Sequence, residues 1–192
     1  MPATPSVENL RNVTLQKIGR NVVNFQKMEA MLKFVVAFSD IRGPLDGIES
    51  QITKRIALFA KMPMGRLVEE GVDGLYPEVN TPFQPSASAG AISVSFSLEG
   101  GEDEARMWKS AMMAVVKERN RLIHQMLVDF DPQSVKSCER LCTELDAQRE
   151  SILQSYAHLE SLVSAIRTSH KELAEACDLD VQQHPGRRSN GA

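Results

Sequence analysis

The stretch CERLCTELDAQRESILQSYAHLESLVSAI, residues 138–166, decides the fold. Cys138, Cys142, Leu145, Ile152, Tyr156, Leu159, Val163 and Ile166 recur at steps of three, four or seven. That spacing lays them along one side of an α-helix, as a coiled-coil seam does. The pattern predicts a helix from about Gln133 to Cys177, with Asp131-Pro132 as its N-cap and first residue. Such a length needs another long helix to cover its seam. The first part of the chain supplies one. Over residues 6–41, Leu15, Ile18, Val22, Phe25, Leu32 and Val36 share a stripe, Ser6 is a natural N-cap, and Gly43-Pro44 ends the run.

Between these two, the sequence predicts a helix from about Leu45 to Lys61, with Ile48, Ile52, Ile56 and Phe59 facing inward. Another follows over Met64–Leu75, and a fourth over about Glu102–Asp129, where Trp108, Met112, Val115, Leu122 and Met126 form the apolar stripe. The Pro-, Gly- and Ser-rich segment 77–101 interrupts the helices. Within it Ile92, Val94, Phe96 and Leu98 alternate with serines, a period-2 strand. Its partner is expected near Pro82–Ser88, as a small hairpin-like insertion, or on another subunit. The expected architecture is all-α: an up-down bundle of four or five helices in one domain over 1–179, with a disordered tail over 180–192.

Composition narrows function by exclusion. The chain has 192 residues, 22 Lys+Arg against 25 Asp+Glu, and a net charge of −3, which argues against a general nucleic-acid coat and for no DNA partner. No run is long and apolar enough for a membrane helix, and the N-terminus has no signal-peptide core, so a cytoplasmic protein is expected. Three cysteines make no disulfide framework. Cys138 and Cys142 stand at i and i+4, but with no second ligand pair they read as core residues, so neither metal nor cofactor is expected. No phosphate loop, nucleophile elbow or dinucleotide fingerprint is present.

One window departs from the acidic average. Residues 105–128 hold Arg106, Lys109, Lys117, Arg119 and Arg121 against the single acid Glu118. A basic helix on an acidic chain is a candidate phosphate-binding surface. Arg119 falls on the apolar stripe, where a guanidinium needs a partner. Asn120 and His124 are one turn apart. The three polar groups form either a buried structural network or a ligand site.

The run Glu118-Arg119-Asn120-Arg121-Leu122-Ile123-His124 resembles the signature of the HEPN superfamily (higher eukaryotes and prokaryotes nucleotide-binding): an Arg, a polar residue after it, and a His four to six residues on. The resemblance implies a metal-independent endoribonuclease, a toxin or defence effector, with a composite site at a homodimer interface. It assigns catalysis to Arg119, Asn120 and His124, and RNA-phosphate binding to Lys117, Arg121, Lys109 and Arg106. Histidine can serve as base toward a ribose 2′-hydroxyl or acid toward the leaving oxygen, and arginine can hold the phosphate bidentately. An antitoxin or regulatory partner would accompany such an effector. Toxin branches often carry a Tyr two residues after the His, and Met126 stands there, a departure that speaks against that mode of control. The alternative reading is a non-catalytic helical interaction or scaffold module.

Overall fold

The computed structural model describes residues 6–44, 47–76 and 91–183. Among these described residues five helices and two short strands follow in the order α1 (Val7–Phe38), β1 (Asp40–Pro44), α2 (Ile48–Ala60), α3 (Met64–Leu75), β2 (Ala91–Ser95), α4 (Glu102–Arg121) and α5 (Val135–Gln183). The expected all-α bundle with long first and last helices is what the chain forms.

The largest interface joins α1 to α5. Thr14 lies against Cys138 and Cys142, Asn21 against Leu145 and Gln148, and Phe34 under Arg167. Both partners advance together, so the two long helices run parallel. α4 runs antiparallel to α5, with Glu118 beside Gln148 and Arg121 beside Glu144. The order α1, α4, α5 is therefore up, down, up. On α1 the buried stripe is Thr14, Asn21, Phe25, Met28, Leu32 and Val35, an alternation of three and four once the half-buried Ile18 is included. The matching seam on α5 is Cys138, Leu141, Leu145, Gln148, Ile152, Leu159, Leu162 and Ile166. Such spacing is how long helices keep a shared face in contact.

Two side chains expected inside are exposed, and a third is displaced from the centre of the seam. Leu15 is 50% exposed and Ile56 47% exposed, while Cys142 is only half-buried and Leu141 takes the buried place. The polar Thr14, Asn21 and Gln148 occupy seam positions, and this shifts the stripe away from the phase that apolar residues alone suggest. On α2 only Phe59 is buried. α2 instead serves α1 through Arg55, whose guanidinium donates to the carbonyls of Val36 (2.7 Å) and Ala37 (2.9 Å). A cation there satisfies last-turn carbonyls and complements the helix dipole.

The small two-stranded insertion forms, and its partner strand comes from earlier in the chain. β2 pairs antiparallel with β1, the residues just after α1, with Ile41 opposite Val94 and Arg42 opposite Ser93. α1 accordingly stops at Phe38 rather than at residue 41. The extended run continues past β2: Phe96 N–H donates to the Ser39 carbonyl (2.7 Å) and Leu98 N–H to that of Leu75 (2.8 Å). Val94, Phe96 and Leu98 turn inward while Ser93, Ser95 and Ser97 face out, as the alternation predicts. The expected partner near Pro82–Ser88 lies outside the described residues.

Two boundaries also move. Asp131 does not cap α5: its carboxylate accepts the Gln133 N–H (2.9 Å) in a turn, and Ser134 caps instead, its hydroxyl accepting from Ser137 N–H (3.3 Å). Asp and Ser both offer such local bonds, and the second lies nearer the first seam residue. α5 continues to Gln183, past the expected start of the tail, whose remaining residues 184–192 lie outside the described ones. At the other end, Ser6 caps α1 as expected, accepting from Asn9 N–H (3.3 Å). Among the described residues, no helix is long and apolar enough to cross a membrane.

Two glycines give opposite expectations for stability. A Cβ on Gly71 of α3 would sit 2.8 Å from the Trp108 ring of α4, whereas one on Gly19 of α1 would meet nothing within 4 Å. Gly71→Ala should therefore lose about 1–3 kcal/mol through overpacking. Gly19→Ala should gain up to about 1 kcal/mol from helix propensity. Urea denaturation of both variants checks the pair of signs.

His170 of α5 packs on the Phe38 ring, 5.9 Å between centroids. Burial holds its pKa below the ordinary 6.5, partly offset by the Phe38 carbonyl. The unfolded chain therefore takes up this proton more readily than the folded one. Its contribution is intact above about pH 6.5 and is lost as pH falls toward the folded value. Urea midpoints at about pH 7.5 and about pH 5.5 should diverge more for the wild type than for His170→Gln.

Candidate functional site

The end of α4 is not a plain helix. Residues Leu122–Met126 form one π turn, closed by Leu127 N–H donating to the Leu122 carbonyl five residues back (3.3 Å). A π turn inserts one residue into the helical ladder and rotates the residues beyond it. Just before it, Leu122 N–H is shared between the carbonyls of Glu118 and Arg119. The weakened acceptor is served from α5, where the Gln148 side chain donates to the Glu118 carbonyl (2.9 Å) and carboxylate (3.1 Å). The Gln148 oxygen in turn accepts from Asn21 of α1 (3.1 Å), which also donates to the Leu145 carbonyl (2.8 Å). The buried polar network at this level is thus Asn21–Gln148–Glu118. Neither Arg119 nor His124 belongs to it.

Those two residues reach outward. Arg119 is half-buried and its guanidinium donates to the Asn120 amide oxygen (3.0 Å). Asn120 is exposed, and His124, one turn further on, is exposed on the π turn. Among the described residues no carboxylate lies within ion-pair distance of Arg119, Lys109 or Lys117. The other two basic residues are occupied. Arg121 lies 3.3 Å from Glu118 and 3.6 Å from Glu144, and Arg106 lies 2.6 Å from Asp103 and 3.9 Å from Glu102. Only part of the basic window is free for a phosphate.

Arg119 and Asn120 open onto a cleft of about 290 Å³. Val116 of α4, Glu29 and Lys33 of α1, and the turn from Ala60 to Gly65 complete its walls. His124 is not among the lining residues. The structure therefore brings Arg119 and Asn120 together in one recess and sets His124 on the adjoining surface. Lys33 and Lys61 went unnoticed in the sequence because they come from elements far away along the chain, and no local spacing marks them.

A second, larger cleft of about 450 Å³ lies between α4 and α5, walled by Trp108, Met112, Tyr76, Ser155 and His158. Tyr76 there has its pKa raised, first by burial and then by the Glu104 carboxylate. Glu104 is held below the usual carboxylate range by the Gly101 N–H that caps α4 (2.8 Å). Cys138 is buried and Cys142 half-buried, and both meet Thr14 of α1. Among the described residues no three His, Cys, Asp or Glu side chains come together as a metal set.

Comparison with protein-family models, with curated proteins and with solved structures finds no match to this chain.

The network and the surface groups should separate on substitution. Arg119→Ala and His124→Ala should each change stability by less than about 0.5 kcal/mol, since neither holds a buried partner. Gln148→Ala should lose about 2–4 kcal/mol, because it opens a cavity and removes a bond from both Asn21 and the Glu118 carbonyl. Denaturant midpoints of the three variants check the contrast.

Proposed function

We propose that this chain is a HEPN-type endoribonuclease, a cytosolic toxin or defence effector working as a homodimer. One observation carries the reading: Asn120 and His124 are exposed and Arg119 half-buried, with a guanidinium free of carboxylates and a histidine free of structural bonds among the described residues. A motif kept for stability would be enclosed and paired. The π turn beneath His124 supports it too, because such insertions cost regular hydrogen bonding and concentrate at functional sites.

The side chains supply the chemistry. His124 takes the proton of a ribose 2′-hydroxyl, and the 2′-oxygen attacks the adjacent phosphorus. Arg119 holds the non-bridging oxygens and stabilises the charge that gathers on them. Asn120, bonded to Arg119, fixes the direction of the guanidinium. As the bond to the 5′-oxygen breaks, that oxygen takes a proton from the His124 of the second copy. The products are a 2′,3′-cyclic phosphate and a 5′-hydroxyl. Ile123 and Val128, 39% and 74% exposed beside His124, offer a second copy apolar surface. A two-fold pair is the simplest symmetric assembly of that surface.

Purified protein should cleave single-stranded RNA, and Arg119→Ala and His124→Ala should each lower the rate roughly 10²-fold or more. Asn120→Ala should cost less, and EDTA should leave the rate unchanged. Sedimentation should give twice the 21.3 kDa chain mass. Intact RNA after incubation with folded, dimeric protein would refute the reading.

A further inference from the structure

The cleft beside Arg119 collects charge from three separate elements. Lys33 comes from α1, Lys61 from the end of α2 and Arg119 from α4, against one carboxylate among the described residues, that of Glu29. Glu29 is engaged by Lys33 at 2.7 Å. Lys61 is exposed, and among the described residues neither it nor Arg119 has an acid within ion-pair distance. Side chains that repel one another converge on a recess sized for a phosphate and its sugar. Like charges that line one recess raise one another's energy, and an anion between them relieves it. The first turn of α3 borders the same recess at Met64 and Gly65, and its N-cap is Pro63, which has no side-chain acceptor for the first N–H groups.

We infer that this cleft, resting on the RNase reading for the identity of the strand, holds a backbone phosphate of single-stranded RNA next to the scissile one. Lys61 is then a binding residue that no motif marks, and Arg119 stands between the two phosphates. Asn120 lines the cleft and His124 follows it by one turn of α4, so a strand leaving the cleft along the helix reaches His124 next. The neighbouring phosphate is bound by charge alone, which makes the contact indifferent to base sequence.

Gly65 supplies a test that spares the fold. A Cβ there meets nothing within 4 Å, and an acid in the first turn of a helix is favourable. Gly65→Asp thus sets a negative charge at the cleft without a clash. The probe is a fluorescent 2′-O-methyl RNA oligonucleotide, which lacks the attacking hydroxyl and reports binding without cleavage. Read by anisotropy on the full chain, Lys61→Ala and Gly65→Asp should each weaken binding about five- to tenfold, with the salt slope falling by about 0.7 for the lost phosphate contact. Lys171→Ala, on the exposed end of α5, should bind as the wild type does.

Binding unchanged in both cleft variants would overturn the inference, as would a wild type that does not bind the oligonucleotide. Inorganic phosphate that competes with a Lys61-dependent affinity equal to that of the oligonucleotide would overturn the strand and leave a free-phosphate site. Lys61-dependent binding with no cleavage of unmodified RNA would uphold the cleft and refute only the RNase reading.

Discussion

One buried amide sets the geometry of everything around it. Gln148 is 1% exposed, and its oxygen and nitrogen reach Asn21 on α1 and the backbone of Glu118 on α4. A polar group enclosed like this costs several kcal/mol unless each bond is made. The three helices can therefore slide past one another only by breaking it. Leucine at the same position would hold them together by area alone, which is tolerant of small shifts. The amide is not tolerant: it fixes the register of the parallel α1–α5 seam and the rotation of α4 at a single level, as polar residues do in coiled coils.

That level is where α4 changes its winding. The shared N–H of Leu122 leaves the Glu118 carbonyl short of a full bond, and Gln148 supplies the missing donor. Leu122 and Met126 remain buried on the inner face through the π turn, so the inserted residue bulges on the outer side, where Ile123, His124 and Gln125 are exposed. The inner face is held and the outer face is presented. On the proposed reading His124 gains from this combination, since positional error falls when the supporting shell is rigid.

The same residues explain how far the sequence could be read. Helical period and length were legible, because apolar side chains at three and four positions leave few other folds for so long a run. The polar members of the seam were not. Thr14, Asn21 and Gln148 look like surface residues by type, and their partners are more than a hundred positions away or on another helix. Reading only apolar residues therefore put Leu15 and Cys142 inside in place of their neighbours. The pairing of β2 was hidden for a similar reason: β1 is the short DIRGP run that ends α1, too polar to show alternation. In the candidate site, the motif on α4 was visible as local spacing, while Lys33 and Lys61 became neighbours of Arg119 only through packing.

Charge is where local structure outweighs composition. The chain carries a net −3, a balance that by itself disfavours a polyanion. Its acids are not spread evenly over its bases, however. Asp146 takes both Lys17 and Arg20, which hold its carboxyl below the usual range, and Arg106, Arg121 and Arg66 each sit against two acids. These pairs cancel at short range, and at physiological salt a charge is screened beyond about 8 Å. Among the described residues the cations left over near the end of α4 are Arg119, Lys61 and Lys117, with Lys33 behind its carboxylate. On the proposed reading a strand of phosphates responds to that remainder rather than to the sum over the chain, and it is held where the surplus coincides with the cleft beside Arg119.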